Sequence, residues 1–495
     1  MRFTQIFSVF TTTILLLCSC EHWKTTIYLD LIYVNSEARC TYHEQNVEIK
    51  FNRAITEQIK ISAKENVSWI TNITTNNKDS IIISVTENSG NERTGSIVLT
   101  APGYYNKTIK LTQNGAPKQA ATHTLMYYFF GTSLSRYFNE NIADAKLAIS
   151  KDILGDNNRV IYFRQKSESE AYIAEICYDR NKHTCYESII ENNIIIEGNP
   201  ISDEYITSVI NKMAAAAPAE RYGLVMAGHG YAWLSREAVM AGNNISQLSL
   251  SYPLFIPAEG AEITRALGEK NVLVSPSVIA QGICNSYADI DYIIFDACMM
   301  ANIENIYELR NTANYIIASP CEIMGRGFPY ERTLPHLFRE NGTSTDYDAA
   351  AKSYYLYYRD EYNRQERSGS IALFDCNEIE ALRDATIEIV KSARIEYDSN
   401  ALQTYEGQKH HYFYDFGQWA NTVATDEVAL QNFNTQLNNT VIAKYSLDSF
   451  YSAYGSYGIH DIDLEVYSGV TTSAPSDILN KLWKSTEWYK DVWQL

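Results

Sequence analysis

Residues 291–309 read Asp291-Tyr-Ile-Ile-Phe-Asp-Ala-Cys298-Met-Met-Ala-Asn-Ile-Glu-Asn-Ile-Tyr-Glu-Leu309, and this stretch decides the fold. The run from Tyr292 to Phe295 is apolar or aromatic, which predicts a short strand buried on both faces. Apolar residues then recur at helical spacing, so Cys298 is expected where a strand ends and a helix begins. Ligands bind at that position in an open α/β sheet, and a nearby helix N-terminus favours the thiolate form of a cysteine. Cys298 is therefore a candidate nucleophile.

A second stretch, Tyr222-Gly-Leu-Val-Met-Ala-Gly-His229-Gly-Tyr-Ala-Trp233, has the same design. Its short apolar run ends at His229, between two glycines that permit tight backbone paths and bring main-chain N–H groups close to a reacting atom. If the two strands are parallel neighbours, His229 and Cys298 emerge at the same edge of the sheet. Taken alone, His229 would be interpreted as a hydrogen-bonded turn histidine, and Cys298 as an inert core cysteine. Together they predict a thiol beside a base, as cysteine-nucleophile catalysis requires.

Three motifs resemble the clostripain family of cysteine peptidases: Ala227-Gly-His-Gly-Tyr-Ala-Trp233, Phe295-Asp-Ala-Cys-Met-Met-Ala301, and Ala313-Asn-Tyr-Ile-Ile-Ala-Ser-Pro320 followed by Gly327-Phe-Pro-Tyr330. The resemblance extends more weakly from about Thr124 to the C-terminus. It implies a caspase-like α/β catalytic domain and an endopeptidase acting on proteins or peptides. It also implies a catalytic His229/Cys298 dyad, and the backbone amides of Gly230 and Cys298 as the oxyanion donors.

The same resemblance implies a preference for arginine or lysine on the acyl side of the cut bond. Asp296 matches the pocket acid that stands two residues before the nucleophile, although it also fits a structural cap on the following helix. The loop after Ser319 carries Glu322, but also Arg326, whose cation could oppose a basic substrate. Ala232 stands where the family often carries glycine. Basic specificity is expected, and acidic or relaxed specificity stays open.

Length and composition describe a folded, acidic, multidomain protein. The chain has 495 residues, and its formal charge is 41 − 59 = −18. Apolar residues make up 45% of it and charged residues 20%, which predicts two or three folded domains rather than disorder. No basic stripe is available to neutralise phosphates, so nucleic acid is not an expected partner.

The N-terminus is expected to be a targeting segment. Arg2 and the apolar run from Ile6 to Leu17 form a short signal, residues 1–19. Leu17-Cys18-Ser19-Cys20 resembles a bacterial lipobox, which implies lipid attachment at Cys20 and an outer-membrane or cell-surface lipoprotein of a diderm bacterium. An ordinary secretory signal is the alternative. Both interpretations predict export, and the lipid on Cys20 would be the membrane anchor.

Residues 20–37 are interpreted as a tether, and residues 38–115 as an antiparallel β-sandwich, because short alternating runs are separated by turn residues. The position of Trp69 and the closing run Leu111-Thr-Gln-Asn-Gly115 resemble a BACON domain. That resemblance implies contact with glycan or mucin, and a plain spacer fits equally well. Residues 116–122 are interpreted as a linker.

Residues 123–395 alternate strand-like and helix-like runs, which predicts a mostly parallel sheet covered by helices. Residues 396–495 are expected to form a C-terminal subdomain of the peptidase, with Trp483 and Trp488 in its core. With Cys18 removed and Cys20 lipidated, seven cysteines remain. An odd number leaves a free thiol in an exported chain, and Cys298 is the expected one.

The irregular segment between Leu234 and Val274 separates the two catalytic motifs. A loop of this length is usually functional or disordered. Members of the clostripain family can mature by internal cleavage after a basic residue in this interval, which makes Arg236, Arg265 and Lys270 candidates. An uncut loop facing the substrate is the alternative.

No cofactor and no metal site is assigned, although some relatives depend on calcium. A rival hypothesis from another class is a catalytically inactive surface protein that binds through its β-sandwich.

Overall fold

The computed structural model describes residues 37–40, 45–50, 62–65, 67–75, 80–88, 93–100, 106–113, 121–167, 169–195, 202–234, 264–265, 275–338, 345–394, 396–408, 411–454, 460–474 and 480–494. Contacts within this part of the chain divide it into two compact units, one ending at Pro117 and the other beginning at Lys118. The predicted signal, the lipid site Cys20 and the maturation candidates Arg236 and Lys270 lie outside the described residues.

The described strands of the first unit are β1 Glu37–Cys40, β2 Gln45–Lys50, β3 Ser62–Glu65, β4 Ile70–Thr75, β5 Ser80–Val85, β6 Arg93–Thr100 and β7 Lys107–Gln113. They form one sheet in the order β1-β7-β6-β3 and a second in the order β2-β5-β4. Ile81 and Ile83 of one sheet share a core with Ile97 and Leu111 of the other. The predicted sandwich is confirmed, with one departure: β1 pairs parallel to β7.

The described strands of the second unit form its central nine-stranded sheet and two small pairs. The sheet contains β8 Ala121–Phe129, β9 Asn158–Gln165, β10 Glu170–Asp179, β11 Thr184–Ile195, β12 Ala219–Ala227, β13 Ile290–Asp296, β14 Tyr315–Ala318, β15 Ile371–Asp375 and β17 Val441–Tyr445. The pairs join β16 Tyr414–Asp415 to β20 Thr471–Thr472, and β18 Ser449–Ser452 to β19 His460–Asp463.

The sheet order is β11-β10-β9-β8-β12-β13-β14-β15-β17. The five central strands, from β9 to β14, run parallel, and the strands on both flanks pair antiparallel. The predicted, mostly parallel sheet is therefore confirmed at the centre. In particular, β12 and β13 are parallel neighbours, with Ala227 opposite Asp296.

The described α-helices of this unit are α1 Ser135–Ile149, α2 Asp203–Ala216, α3 Pro276–Cys284, α4 Ile303–Glu308, α5 Tyr330–Leu337, α6 Tyr347–Asp360, α7 Ile379–Ser392, α8 Phe416–Val423, α9 Glu427–Thr440, α10 Asn480–Trp483 and α11 Glu487–Trp493. In the described part of the chain, none of them is long and apolar enough to cross a bilayer.

Caps explain where several helices begin. Ser202 caps α2, because its hydroxyl accepts a hydrogen bond from the Tyr205 amide at 3.2 Å. The C-terminal segment from Asn480 to Trp493 contains two helices. Thr486 accepts a hydrogen bond from the Tyr489 amide and starts a new helix there, so the segment divides into α10 and α11.

Candidate active site

The ends of β12 and β13 bring the two predicted catalytic motifs together. His229 follows Ala227 by two residues, Cys298 follows Asp296 by two, and Ala227 pairs with Asp296. A Cβ atom on Gly230 would lie 2.2 Å from the carbonyl oxygen of Cys298, so the two backbones touch and this position has no room for a side chain. The motifs therefore meet at one edge of the sheet, as predicted.

The backbone after β13 differs from the prediction. Residues 297–299 form a turn in which Met299 has a φ of 59°, and α4 begins only at Ile303. The expectation that a helix starts directly after Cys298 is therefore wrong. The left-handed turn moves the helix N-terminus away from the thiol, and with it the predicted stabilisation of the thiolate.

The Cys298 thiol lies in a closed environment. Its side chain is fully buried, and its sulfur accepts a hydrogen bond from the Ile323 amide at 3.1 Å. Burial raises the pKa of the Cys298 thiol well above its ordinary value, and the charge of Glu322 raises it further. The Ile323 amide and the Arg265 cation oppose the rise. In this form of the protein the thiol is protonated.

His229 lies at the rim of the same edge and is partly exposed. Its Nε2 atom is 2.7 Å from the Ser133 hydroxyl oxygen. Ser133 follows β8, the other parallel neighbour of β12, so three adjacent strands deliver residues to this site.

Arg265 fills the interior of the site. Its side chain is fully buried, and its Nε atom is 3.2 Å from Oδ1 of Asp296. Its Nη1 donates to the Asp296 carbonyl oxygen at 3.1 Å, and its Nη2 donates to Oδ1 of Asn141 at 2.8 Å. The guanidinium is therefore held by two hydrogen bonds and by an ion pair with Asp296.

The Asp296 carboxylate is held in the pocket and does not cap a helix. It accepts from the Tyr330 hydroxyl at 2.8 Å and from the Phe328 amide at 3.4 Å. Burial raises its pKa, while Arg265 and the two hydrogen bonds lower it. The alternative interpretation of Asp296 as a cap on the following helix is wrong, because α4 begins at Ile303.

The main chain around Arg265 also forms hydrogen bonds with the neighbouring segments. The Arg265 amide donates to the Ile323 carbonyl at 2.7 Å, and Thr264 forms an antiparallel bridge with Met324. The Arg265 carbonyl accepts a 3.0 Å hydrogen bond from the Gly230 amide, which is one of the two predicted oxyanion donors. Residues 264–265 therefore lie as a short strand along 323–324, with the carbonyl of residue 265 at the Gly230 amide.

Gly327 makes room for the guanidinium. Its φ is +71°, and a Cβ atom there would lie 2.1 Å from Nη2 of Arg265 and 2.6 Å from Oδ1 of Asp296. The neighbouring cation, Arg326, is neutralised by two acids of α1. It is 2.7 Å from Asp144 and 3.2 Å from Glu140.

Thr264 contacts the second acid of the site. Its hydroxyl donates to Oε2 of Glu322 at 2.7 Å, and both side chains are fully buried. The other carboxylate oxygen of Glu322 accepts hydrogen bonds from the Ser452 hydroxyl and from the Ala453 amide.

Sequence reasoning missed Ser133, Asn141 and Ser452. Ser133 could have been found from its place directly after β8, since that strand ends at the same edge. Tyr330 stood in a quoted motif without a role. Asn141 on α1 and Ser452 in β18 reach the site only through the tertiary fold, and no local pattern marks them.

The seven cysteines of the described residues, Cys298 among them, are free thiols. Within the described ranges, no group of three or more His, Cys, Asp or Glu side chains is arranged to hold a metal ion.

Comparisons with known proteins show related cysteine proteases. The sequence model of the Clostripain family matches residues 127–491. The chain is similar in structure to a secreted cysteine protease from Bacteroides thetaiotaomicron, "iotapain", with 26% identity, a TM-score of 0.64, and coverage of 76% of this chain and 100% of that one. It is also similar to an inactive zymogen protease from Parabacteroides distasonis, with 26% identity, a TM-score of 0.62, and coverage of 76% and 99%. No curated protein matches the chain.

Proposed function

The chain belongs to the clostripain family of cysteine peptidases, and from that premise we propose that it is an exported endopeptidase that cleaves after arginine or lysine. Cys298 is the nucleophile, His229 is the proton donor, and the Asp296 pocket binds the basic side chain. One observation carries this proposal: the chain's own Arg265 occupies the cleft in the manner of a substrate.

The contacts of Arg265 correspond to those a substrate needs. The pocket supplies a buried carboxylate for the guanidinium, and the strand 323–324 pairs with the peptide backbone. The carbonyl at which attack would occur accepts from the Gly230 amide. An isolated buried cation would be strongly unfavourable, so the ion pair with Asp296 and the two hydrogen bonds of the guanidinium support a pocket built for arginine.

The proposed reaction has two steps. His229 takes the proton of the Cys298 thiol, and the resulting thiolate attacks the carbonyl carbon of the basic residue, forming a C–S bond, while the carbonyl π electrons move to oxygen. Gly230 and Cys298 amides stabilise that oxyanion, and His229 protonates the leaving amine as the C–N bond breaks. Water, deprotonated by His229, then hydrolyses the thioester and releases the thiol. The Ser133 hydroxyl, which contacts Nε2, orients the imidazole.

The same geometry supports a latent precursor that matures by cutting itself after Arg265. Cys298 is fully buried while residues 264–265 fill the cleft, so another peptide has no access to it. The bond after Arg265 follows the carbonyl that faces Gly230. This contact supports Arg265 among the three maturation candidates. It also favours a cut after Arg265 over the alternative of an uncut loop.

Export is supported by the lipobox-like N-terminal sequence and by the secreted relative from Bacteroides thetaiotaomicron. We propose lipid attachment at Cys20 and a spacer role for the β-sandwich. Trp69 is buried under the Arg93 guanidinium, 4.8 Å from the ring centre, which favours a spacer over a ring platform for glycans at that residue.

The test uses fluorogenic peptides that end in arginine, lysine or aspartate. The purified chain, once cut after Arg265, is expected to release the fluorophore from the arginine and lysine peptides, and Cys298→Ala is expected to be inactive. The variant His229→Ala should lose activity while keeping its fold by circular dichroism. Cleavage that persists in Cys298→Ala, or equal cleavage after aspartate, would overturn the proposal.

A further inference from the structure

Glu322 presents one carboxylate oxygen to the residue that precedes the arginine in the cleft. Its Oε1 atom is held from behind by the Ser452 hydroxyl and by the Ala453 amide, the latter at 3.0 Å. Its Oε2 atom accepts from the Thr264 hydroxyl at 2.7 Å. The carboxylate is therefore fixed in place, with one oxygen directed at the cleft.

The backbone register indicates that a bound substrate would contact Glu322 in the same way as Thr264 does. Thr264 bridges Met324 in an antiparallel pair, and Glu322 stands two residues before Met324 on the same extended segment. Alternate residues of an extended segment face the same side, so the Glu322 side chain lies beside the side chain at position 264. Any peptide bound with an arginine in the Asp296 pocket places its preceding side chain against Glu322.

We propose that Glu322 selects threonine or serine at the position immediately before the basic residue in the substrates of this enzyme. The proposal rests on the function proposed above and adds a second determinant to it. The ligand class is a peptide in which a β-hydroxy residue precedes arginine, as in the chain's own Glu262-Ile-Thr-Arg265.

Desolvation explains why a hydroxyl is required. Glu322 is fully buried when position 264 is occupied, and a valine there would leave Oε2 without a donor and without water. An unpaired buried acceptor is unfavourable, and sites built to bind a hydroxyl reject analogues that lack it. We expect the threonine peptide to be cleaved roughly 10- to 100-fold more efficiently than the isosteric valine peptide.

Depth explains why a longer side chain is excluded. The γ-oxygen of Thr264 already reaches hydrogen-bond distance from Oε2. Glu322 cannot retreat, because Ser452 and Ala453 hold its other oxygen. A lysine at this position would have to displace Glu322 before its ammonium group could pair with the carboxylate.

The test measures kcat/KM for four peptides, Glu-Ile-Xaa-Arg with a fluorophore, in which Xaa is threonine, serine, valine or lysine. Residues 264–265 of the enzyme compete equally with all four peptides, so the ratios do not depend on how much of the protein has matured. The same ratios are measured in Glu322→Gln, which keeps the size of the side chain, and in Glu322→Met, which removes the acceptor. Glu304→Gln, at another fully buried glutamate, is the matched control.

The expected result is a threonine-to-valine ratio of at least 10 in the wild type and in Glu304→Gln. That ratio should fall at least threefold in Glu322→Gln and approach 1 in Glu322→Met. Equal cleavage of the threonine and valine peptides by the wild type, or a preference for lysine, would overturn the proposal and leave the proposed function intact. No cleavage of any arginine peptide by protein that mass spectrometry shows to be cut after Arg265 would overturn both.

Discussion

The guanidinium of Arg265 lies 3.2 Å from the carboxylate of Asp296, and neither side chain is accessible to solvent. A buried ion pair is balanced against the cost of desolvating both groups, so removing one partner leaves an uncompensated charge. The proposed latent form and the proposed specificity for basic residues therefore depend on the same two side chains, and both can be tested through them.

Replacing Asp296 should remove the preference for basic residues. In Asp296→Asn the bound guanidinium would have no countercharge, and we expect kcat/KM for arginine peptides to fall roughly 100- to 1000-fold. Asp375→Asn is the control, because Asp375 accepts from the Asn377 amide as a cap and asparagine caps equally well. Equal losses in the two variants would contradict the pocket assignment.

The first cut should follow Arg265. Arg265→Ala removes all three side-chain contacts with Asp296 and Asn141, and we expect that chain to remain intact when the wild type is processed. Arg265→Lys should be cut more slowly, since a single ammonium cannot replace the two guanidinium hydrogen bonds together with the ion pair. Mass spectrometry should find a wild-type fragment that begins at Ala266. A fragment that begins at residue 237 or 271 would assign the cut to Arg236 or Lys270.

Gly327→Ala should close the pocket. The added methyl group would lie 2.1 Å from Nη2 of Arg265, and arginine peptides should lose at least 10-fold in kcat/KM. Backbone strain from the positive φ is a second effect of this change, of about 1 kcal/mol. Gly155→Ala separates the two, because Gly155 has a φ of +55° and nothing within 4 Å of the added carbon. If Gly155→Ala lowers activity as much, strain and not the pocket explains the loss.

Cys298 should resist alkylation until the cleft is cleared. In the uncut chain its thiol is buried and protonated, whereas Cys284 is exposed. The His229→Ala variant provides the uncut precursor, with Arg265 in place. Iodoacetamide at pH 8 should therefore label Cys284 in this variant and leave Cys298 unlabelled. After maturation of the wild type, Cys298 should react first. Peptide mapping measures both, and equal labelling of the two thiols in the precursor would contradict the closed site.

The stability of the precursor should depend on pH through Glu322. Burial raises the pKa of Glu322 from 4.5 to about 7, against the hydrogen bonds from Ser452 and Thr264. The folded chain keeps this proton up to about pH 7, whereas the unfolded chain releases it near 4.5. The contribution of the protonated Glu322 to the free energy of unfolding is therefore fully present below pH 4.5 and is lost as the pH rises to 7.

Glu322→Gln carries no such proton, so it should gain stability relative to the wild type between pH 5 and pH 8. The expected gain is on the order of 2 kcal/mol. Urea unfolding in a Cys298→Ala background, which prevents self-cleavage, measures it. A constant difference between the two chains across this range would show that Glu322 does not titrate there.

The centre of the sheet was predictable because its signals are local. The run Tyr292 to Phe295 is apolar without alternation, and it lies inside β13 with both faces covered. The glycines beside His229 predicted a close approach of two backbones, and Gly230 does lie against the backbone of Cys298. β11 was not predicted, because it is an edge strand in which Ile189 and Ile190 are exposed and polar residues interrupt the pattern.

The contents of the cleft were not predictable by the same means. Arg265 stood among three equal candidates in a segment without periodicity, and its contacts with Asn141, Asp296 and Ile323 join parts of the chain that are far apart in sequence. The delayed start of α4 was missed for another reason. Helical spacing of apolar residues does not reveal that Met299 adopts a positive φ, which is set by the packing of the turn.

The last strand of the central sheet, β17, comes from the segment after residue 440 and pairs with β15. Beyond it, Ser452 and Ala453 hold the carboxylate of Glu322. The C-terminal hundred residues thus contribute a strand to the central sheet and hydrogen bonds to the candidate site, so a fragment ending near residue 395 would lose both.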